Sequence, residues 1–355
     1  MGGGESAVTV PSMDGALRPN TRLDDSDVLY SIKDVDNLAV ANGVNYLSSG
    51  KKLLSFRSVI DELELVCEYS SAISAIATDG SGMLAIGLDS GGVILRQEKD
   101  GAERTVAGFA GSQLESVTSL AFDRNGVLYL CLGSTHNRAT AWKRDLMSLG
   151  SSGSVWKISA NVSGAECLGD GLAFPFGISF DAENAPIVSE AWKHRLIRWA
   201  GNGRWVPVLN DLPGYPARLA PASGGGFWLS IFAPRSQMIE FVLRERIYRE
   251  RMLDEIDEQF WMAPDLRAGQ SFKEPLQGGG VKHLGIHKPW GPTRSYGLVV
   301  RLDERFQPVA SMHSRSDGNR HGVTSCIETD GLLLVACKGD GFLISPWINE
   351  EANRK

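Results

Sequence analysis

The sequence predicts an all-β fold, a six-bladed β-propeller with an inserted helix and a lid-like loop in its fifth blade. Three observations predict it: a strand–turn–strand unit recurs six times, a third strand follows most copies, and a single helical segment interrupts the repeat. Six units that cannot bury their faces alone can close into a ring, which leaves no long sheet edge exposed. A β-sandwich would not account for six copies of one unit.

The repeat itself is a β-hairpin. Apolar residues alternate with polar ones, a turn rich in Asp, Asn or Gly follows, and a second apolar run comes next. The 40 glycines among the 355 residues agree with so many tight turns. The six copies occupy residues 35–49, 70–88, 115–132, 175–199, 215–232 and 321–338. The third strands occupy residues 91–97, 153–159, 195–200, 296–303 and 341–346.

Ring closure is expected to join the two ends of the chain within one blade. Residues 29–33 form a short strand that would lie beside residues 341–346 and complete the last blade. We therefore expect an N-terminal arm over residues 1–28, whose first 20 residues are loosely held, a single propeller over residues 29–346 and a C-terminal tail over residues 347–355.

The inserted segment begins at residue 234, and its first part has helical rather than strand periodicity. Apolar residues recur on one helical face at Phe241, Tyr248, Met252 and Ile256. This pattern predicts one helix of about five turns, followed by an irregular stretch rich in aromatic residues and glycine. A loop this long is usually functional. The insertion over residues 234–295 is therefore either a lid or pocket wall, or a cover for an exposed blade edge.

Composition and charge narrow the classes of partner. The formal net charge is −6 and no basic stripe is visible, which argues against a nucleic-acid partner. No apolar run approaches ~18 residues, so no membrane span is expected. The N-terminus lacks the basic and apolar segments of a secretory signal. The five cysteines have no CxxC spacing, which indicates a reducing compartment. We expect a cytoplasmic protein with a small-molecule substrate, and its oligomeric state stays open.

The mouth of the central funnel is the expected site. The first strand of each copy would line the channel, and its entry residue would point into the mouth, with a register that the alternation fixes to within one residue. The residues expected there are Asp36, Asn37, Ser71, Glu115, Ser116, Phe176, Arg218 and His321.

Several segments carry a resemblance to a known family. They appear in the family's order at residues 171–181, 188–199, 210–219, 224–230, 294–304 and 313–336. The chain resembles the strictosidine synthase-like branch of the six-bladed lactonase and esterase propellers over residues 123–346, about two-thirds of its length. The resemblance implies a small-molecule site at the funnel mouth. The wider superfamily includes paraoxonases, gluconolactonases and di-isopropyl fluorophosphatase, which hold calcium or another divalent ion, whereas the plant synthases condense their substrates without metal.

Three positions depart from what this resemblance implies. Phe176 stands where the hydrolases carry a metal-binding Asn, and Ala217-Arg218 stand where they carry Asp-Asn or similar. Neither a phenyl ring nor a guanidinium binds a hard cation. We therefore predict no cofactor, since a divalent metal such as calcium would have to bind at Phe176 and Arg218. Thr324 stands where the plant synthases keep their catalytic glutamate, so Pictet–Spengler chemistry is not supported either.

The remaining mouth residues predict the chemistry. His321 near a carboxylate such as Glu115 would act as a general base, and Arg218 would hold an anion or stabilise an oxyanion. We predict these three residues as catalytic. The residues predicted to bind the substrate are Asp36, Asn37, Ser71, Ser116, Phe176, Trp261 and Trp290.

The predicted function is a lactonase- or esterase-like hydrolase that acts at the central funnel. Proton abstraction next to a carbonyl would suit the same residues. One alternative is a non-enzymatic binding or sensor propeller, which the lost metal ligands favour. A further alternative is a metal-free lyase or condensing activity similar to that of strictosidine synthase.

Overall fold

The strands form a ring of four-stranded sheets. The computed structural model of the protein describes residues 10–109, 112–158, 164–269, 271, 273–275 and 293–346. Within those ranges, six four-stranded antiparallel sheets and one two-stranded hairpin are present. This arrangement confirms the predicted six-bladed β-propeller.

The first three blades take up the N-terminal half of the chain. The chain enters through β1 (Asp27–Ser31), and blade 1 contains β2 (Val35–Ala41), β3 (Val44–Ser49), β4 (Lys52–Phe56) and β5 (Glu64–Glu68). Blade 2 contains β6 (Ile73–Thr78), β7 (Met83–Leu88), β8 (Val93–Gln97) and β9 (Glu103–Val106), and the hairpin of β10 (Gly108–Phe109) and β11 (Ser112–Gln113) follows it. Blade 3 contains β12 (Val117–Phe122), β13 (Leu128–Leu132), β14 (Gly153–Ile158) and β15 (Ala165–Leu172).

The last three blades complete the ring. Blade 4 contains β16 (Pro175–Phe180), β17 (Pro186–Glu190), β18 (Arg195–Trp199) and β19 (Trp205–Leu209). Blade 5 contains β20 (Gly214–Pro221), β21 (Phe227–Pro234), β22 (Gly297–Leu302) and β23 (Pro308–Ser314). Blade 6 contains β24 (Val323–Thr329), β25 (Leu332–Cys337) and β26 (Phe342–Ser345), and its fourth strand is β1.

The closure of the ring follows the prediction. Strand β1 pairs antiparallel with β26, with Asp27 opposite Ser345 and Ser31 opposite Phe342, so both ends of the chain share one blade. The first strand of each blade contacts the first strands of its two neighbours, in the order β2, β6, β12, β16, β20, β24 and back to β2. These six inner strands therefore form the wall of the central channel.

Burial falls from the channel outward, as the sequence pattern requires. The inner strand β6 is almost wholly buried, because neighbouring blades cover both of its faces, whereas the outer strand β9 is mostly exposed. Small residues let the inner strands approach each other. A Cβ atom on Gly177 would lie 2.5 Å from the carbonyl oxygen of Ala217 and 2.7 Å from the Cα atom of Arg218. Gly177 thus brings blade 4 close against the channel segment of blade 5.

The insertion in blade 5 differs from the single helix that the sequence predicts. It contains two helices, α2 (Gln237–Arg244) and α3 (Arg246–Glu255), and the non-helical backbone of Glu245 separates them. The predicted apolar face is therefore wrong in part. Met252 is buried, but Phe241, Tyr248 and Ile256 are 58%, 49% and 45% exposed. In the first helix the buried residues are Ile239 and Val242, and in the second they are Arg249 and Met252, so the buried residues do not follow one continuous helical face.

A second helical segment lies in blade 3 between β13 and β14, where the sequence analysis predicts none. It consists of a 3₁₀ turn, Ala139–Ala141, and α1 (Trp142–Met147). Further 3₁₀ turns are Gly15–Leu17, Ala191–Lys193 and Glu258–Phe260. Among the residues that the structure describes, no helix is long and apolar enough to cross a membrane.

The N-terminal arm is held against the propeller from residue 10 onward. The hydroxyl of Ser311 on β23 donates to the carbonyl of Ala16, and the side chain of Asn20 donates to the carbonyl of Ser311. Leu23 is fully buried in the core shared by blades 5 and 6. The described part of the arm is therefore docked, in contrast to the loose attachment expected for it.

Candidate functional site

A backbone irregularity near the same end of each inner strand shapes the funnel mouth. In all six inner strands the pairing with the next strand shifts by one residue there, so that one residue is extra. Such a bulge leaves backbone groups outside the ladder and redirects side chains. The residues within the shifts are Asp36 and Asn37, Ser74, Thr118, Phe176, Ala217 and Arg218, and Thr324.

Arg218 of blade 5 reaches across the channel and donates hydrogen bonds to four other blades. Its Nη1 donates to Asp36 Oδ1 at 2.8 Å and to the Thr324 carbonyl oxygen at 3.3 Å. Its Nη2 donates to the carbonyl oxygens of Ser74 at 2.7 Å and Thr118 at 3.1 Å. The acceptors belong to blades 1, 2, 3 and 6.

The fifth contact of Arg218 is with blade 4. The Cζ atom of its guanidinium lies 5.0 Å from the centroid of the Phe176 ring, within the range of a cation–π interaction. One side chain therefore links the inner strands of all six blades. The bulges make this possible, because they leave the carbonyls of Ser74, Thr118 and Thr324 free to accept its hydrogen bonds.

Asp36 is shared between two cations. Its Oδ2 lies 2.7 Å from Nζ of Lys338, which follows β25, while its Oδ1 binds Arg218. Burial acts to raise the pKa of Asp36, but the charges of Lys338 and Arg218 outweigh it and hold that pKa below its ordinary value. Asp36 is therefore ionised at neutral pH. The Lys338 side chain is 29% exposed, so the pair lies at the boundary between the packed channel and open space.

A cavity of about 350 Å³ lies at the mouth above this pair. Trp142 of α1, Phe176 of β16 and Phe232 of β21 form its aromatic wall, with ring centroids of Trp142 and Phe232 5.1 Å apart and those of Phe176 and Phe232 5.3 Å apart. Asp36 and Lys338 lie on the polar side. The other lining residues are Asp34, Gly50, Ala72, Ile73, Ser74, Ala139, Thr140, Arg218, Leu266 and Thr324.

The helical segment of blade 3 is anchored where it forms the wall. The buried carboxylate of Asp89 in blade 2 accepts hydrogen bonds from the backbone N–H and the hydroxyl of Thr140, both at 2.9 Å. Thr140 stands two residues before Trp142. Asp89 thus fixes the position of Trp142 against the cavity.

The loop after α3 forms the remaining wall. Asp265 accepts from Lys143 of α1 at 2.8 Å and from the buried Arg294 at 2.9 Å, so that the two insertions are joined. Leu266 lies on the cavity, and its backbone packs against blade 6. A Cβ atom on Gly339 would lie only 2.0 Å from the Leu266 carbonyl oxygen. This contact holds the loop directly beside Lys338. Within the described residues, the insertion contributes Leu266 to the wall of the cavity.

The guanidinium of Arg218 closes the floor. Arg218 lines the mouth cavity and also a larger cavity, of about 870 Å³, which opens at the other end of the channel. The two spaces therefore meet at one side chain. A small molecule in the mouth cavity contacts the channel only as far as Arg218.

Three of the predicted mouth residues lie where the sequence places them. Asp36, Phe176 and Arg218 line the cavity and contact one another through Arg218. Asn37, next to Asp36, is turned away and fully buried, and its side-chain amide donates to the hydroxyl of Ser48 at 2.9 Å.

His321 lies outside the cavity, buried in blade 6. Its Nδ1 is 2.8 Å from the Ser295 hydroxyl oxygen, and its Nε2 is 2.7 Å from the Arg315 carbonyl oxygen. Its backbone N–H donates to Asp340 at 2.8 Å. Both ring nitrogens are engaged with neutral partners, so the structure does not bring His321 to Glu115 or Arg218. Its role as catalytic base stays a prediction.

The other polar candidates precede the strands instead of facing the channel. Glu115 is exposed on the loop before β12, and the buried Ser116 has a left-handed backbone with φ of 54°. The hydroxyl of Ser71 accepts a hydrogen bond from the Ser90 backbone. In blades 2, 3 and 6 the cavity or channel position belongs to Ser74, Thr118 and Thr324, three residues after Ser71, Glu115 and His321.

The two predicted tryptophans have different outcomes. Trp261 is fully buried among α1, α3 and blade 5 residues, and its Nε1 donates to the Ile256 carbonyl at 2.8 Å. It supports the wall from behind. Trp290 lies outside the described residues.

Lys338, Trp142 and Phe232 are the site residues that sequence reasoning missed. The sequence could have indicated Lys338, because it is a cation directly after the buried residues of β25, and the second strand of each blade ends at the mouth. Phe232 occupies the corresponding end of β21. The sequence gives no indication of Trp142, because its segment has no counterpart in the other repeats.

A divalent metal does not fit the channel. The positively charged guanidinium of Arg218 occupies the centre and uses the oxygen atoms that a hard cation would need. Phe176 offers no ligand atom. Among the residues that the structure describes, no group of three or more His, Cys, Asp or Glu side chains is arranged to hold a metal ion.

Comparisons with known proteins agree with the fold. A gluconolactonase from Xanthomonas campestris is similar over 96% of this chain and 95% of its own, with a TM-score of 0.59 and 14% identity. The calcium-binding protein regucalcin from Agrobacterium tumefaciens is similar over 90% and 92%, with a TM-score of 0.57 and 13% identity. A luciferin-regenerating enzyme is similar over 89% and 92%, with a TM-score of 0.54 and 10% identity.

These likenesses define the class of the protein by its fold. It is a six-bladed β-propeller whose fold is similar to the folds of a gluconolactonase and of regucalcin, and identities of 10–14% carry the comparison no further than the fold. No family model matches the chain, and no curated protein matches it.

Proposed function

We propose that this protein is a hydrolase of small apolar lactones or esters, and that the reaction takes place in the mouth cavity without a metal ion. The observation that carries the proposal is the pair of Asp36 and Lys338, an ionised carboxylate and an ammonium 2.7 Å apart on the wall of a cavity large enough for a small organic molecule. The fold shared with a gluconolactonase supports it.

The two charged groups have complementary roles in this proposal. Asp36 takes a proton from a water molecule, and the water oxygen attacks the carbonyl carbon. Lys338 donates a hydrogen bond to the carbonyl oxygen as it becomes negative. When the carbon–oxygen bond of the ester breaks, the proton on Asp36 passes to the departing alkoxide. Arg218 acts through Asp36 as a positioning residue, because its Nη1 and Nη2 groups are already directed at protein acceptors.

The aromatic wall selects the substrate class. Trp142, Phe176 and Phe232 line the cavity together with the charged pair. A sugar lactone would bury hydroxyl groups against these rings without hydrogen bonds, which is unfavourable. An aryl or alkyl lactone would bury apolar surface there. We therefore propose apolar lactones and aryl esters as the substrates, in preference to sugar lactones.

The experiment is a hydrolysis screen of the purified chain. Aryl lactones, aryl esters and gluconolactone are tested with EDTA and, separately, with calcium. The proposal predicts turnover of apolar substrates that EDTA does not reduce. Asp36→Asn and Lys338→Met should each reduce kcat/KM by at least about a hundredfold. Lys193→Met is the matched control, because Lys193 also pairs with a carboxylate, Glu190, but does not line the cavity.

His321→Ala tests the sequence-derived prediction separately. If His321, Glu115 and Arg218 form the catalytic group instead, His321→Ala and Glu115→Gln will abolish turnover while Lys338→Met leaves it intact. A protein that hydrolyses none of the substrates, with or without calcium, would contradict the hydrolase proposal.

A binding or sensor function is the second candidate, and the pKa of Asp36 favours it. Two adjacent cations hold that pKa below its ordinary value, which makes Asp36 a weak base. Such a protein would bind an apolar carbonyl compound and release it unchanged. Mass spectrometry of a ligand recovered from a thermal-shift hit distinguishes the two functions. A strictosidine synthase-like condensation is less well supported, because Thr324 offers no carboxylate at the mouth.

The location in the cell is part of the proposal. We propose a cytoplasmic protein, and the five cysteines, all of which are free thiols in the structure, support a reducing compartment. Expression of the chain with a fluorescent tag in cells would test this.

A further inference from the structure

We infer that the channel centre is a binding site for a planar organic cation, and that the side chain of Arg218 is its permanent occupant. The inference concerns the channel and does not depend on the proposed hydrolysis.

The acceptors of the site are built by the fold. Three bulges expose the carbonyl oxygens of Ser74, Thr118 and Thr324 toward one point, and Asp36 adds a carboxylate oxygen. Buried carbonyls need hydrogen-bond partners. Four acceptors from four blades around one centre form a site for a cation, whichever group supplies the charge.

The geometry of the site favours a flat cation over a spherical one. Nη1 donates to Asp36 and Thr324, and Nη2 donates to Ser74 and Thr118. The acceptors therefore form two pairs, which match the two nitrogen atoms of a planar guanidinium. The Phe176 ring lies 5.0 Å from the guanidinium carbon and completes the site on one side. A calcium ion requires six to eight oxygen ligands and gains nothing from a phenyl ring.

The site should therefore persist when the side chain is removed. Arg218→Ala deletes the guanidinium with its two adjoining methylene groups and leaves four acceptors around a hole. Ethylguanidinium in solution supplies the same atoms as those deleted. It should enter the hole and restore part of the lost stability, because only the covalent attachment is missing.

The test is thermal unfolding of Arg218→Ala with added ethylguanidinium chloride at tens of millimolar. We expect the variant to lose about 5 °C in Tm, because removing one partner leaves Asp36 and three carbonyls without it. Ethylguanidinium should restore about half of this loss, whereas sodium chloride at equal ionic strength and calcium chloride should not. Wild-type protein should show no gain from either cation.

Arg320→Ala is the matched control. Arg320 is also a buried arginine over an aromatic ring, with Cζ 4.5 Å from the Phe342 centroid, but among the described residues its Nη1 donates only to the neighbouring Asn319. Ethylguanidinium should not rescue this variant. If it raises the Tm of both variants equally, or if calcium rescues Arg218→Ala better than ethylguanidinium does, the inference is wrong.

A second measurement covers the case in which Arg218→Ala does not fold. The variant is then refolded from urea with and without ethylguanidinium, and the soluble yield is compared. The inference predicts a several-fold higher yield with the cation present. Equal yields would overturn it.

Arg218→Lys, which keeps a charge but has no planar guanidinium, should fold with a Tm below that of wild type and should gain little from calcium.

Discussion

The carboxylate of Asp36 lies 2.8 Å from the guanidinium of Arg218 and 2.7 Å from the ammonium of Lys338, so one anion joins the floor of the channel to the rim of the mouth cavity. The side chain of Arg218 is 11% exposed, whereas that of Lys338 is 29% exposed. Asp36 therefore belongs both to the hydrogen-bond network that Arg218 forms in the channel and to the proposed catalytic pair with Lys338.

The first prediction concerns Asp36 and pH. Because its pKa in the folded state is below the ordinary value of 3.8, the ionised carboxylate contributes stability that is present above that value and is lost as pH falls through the lower folded-state pKa. Asp36→Asn should lower the free energy of unfolding by about 3 kcal/mol at pH 7. Urea unfolding at pH 7 and pH 2.5 measures this, and the difference from wild type should shrink at the lower pH. A difference that is the same at both values would contradict the prediction.

The second prediction concerns the aromatic wall. Trp142→Ala should weaken the binding of an apolar lactone by about tenfold, because one ring surface of the cavity is lost. Calorimetric titration with a non-hydrolysed lactam analogue gives the affinity. Trp199→Ala serves as the control, since Trp199 packs against Trp205 in the outer part of blade 4, away from the cavity. The account fails if both variants bind equally well.

The third prediction concerns the anchor of that wall. Asp89→Ala removes both hydrogen bonds to Thr140 and should release the segment that carries Trp142. Affinity for the same analogue should fall about fivefold, and hydrogen exchange of residues 139–147 should speed up. Asp89→Asn, which keeps one acceptor, should show a smaller effect. Unchanged exchange in Asp89→Ala would show that the segment is held by other contacts.

The fourth prediction concerns the wall loop. Gly339→Ala places a Cβ atom against the Leu266 carbonyl, so the loop must move away from Lys338. We expect faster hydrogen exchange over residues 262–269 and a changed KM. Gly164→Ala is the control, because a Cβ atom there meets no other atom within 4 Å. A loop that exchanges at the wild-type rate in Gly339→Ala would be inconsistent with this contact.

The fold could be predicted from the sequence because each blade repeats one local pattern. Alternation and turn residues locate the hairpins. The strand predicted at residues 29–33 indicates that the ring closes through the pairing that β1 and β26 form. The helical insertion is predicted less well. Periodicity predicts one helix within residues 234–258, and the structure has helix over residues 237–255 with a break at Glu245 that the periodicity does not show.

The site could be predicted only in part. Asp36, Phe176 and Arg218 are placed correctly because their strands begin where the apolar pattern begins. In blades 2, 3 and 6 a polar cluster precedes the strand, and the channel position is the extra residue at the bulge inside the strand. In blade 6 that residue is Thr324, three residues after His321. Bulges arise from pairing between strands, which a single strand's sequence does not reveal.

The central claim is that Arg218 fills the channel centre and fixes Asp36 below the mouth cavity. A crystal structure of wild-type protein grown with calcium chloride tests it most directly, with anomalous scattering used to identify calcium. The account predicts guanidinium density within hydrogen-bond distance of Asp36 and of the carbonyls of Ser74, Thr118 and Thr324, and no anomalous peak there. A calcium peak at the centre, with Arg218 turned away, would contradict it.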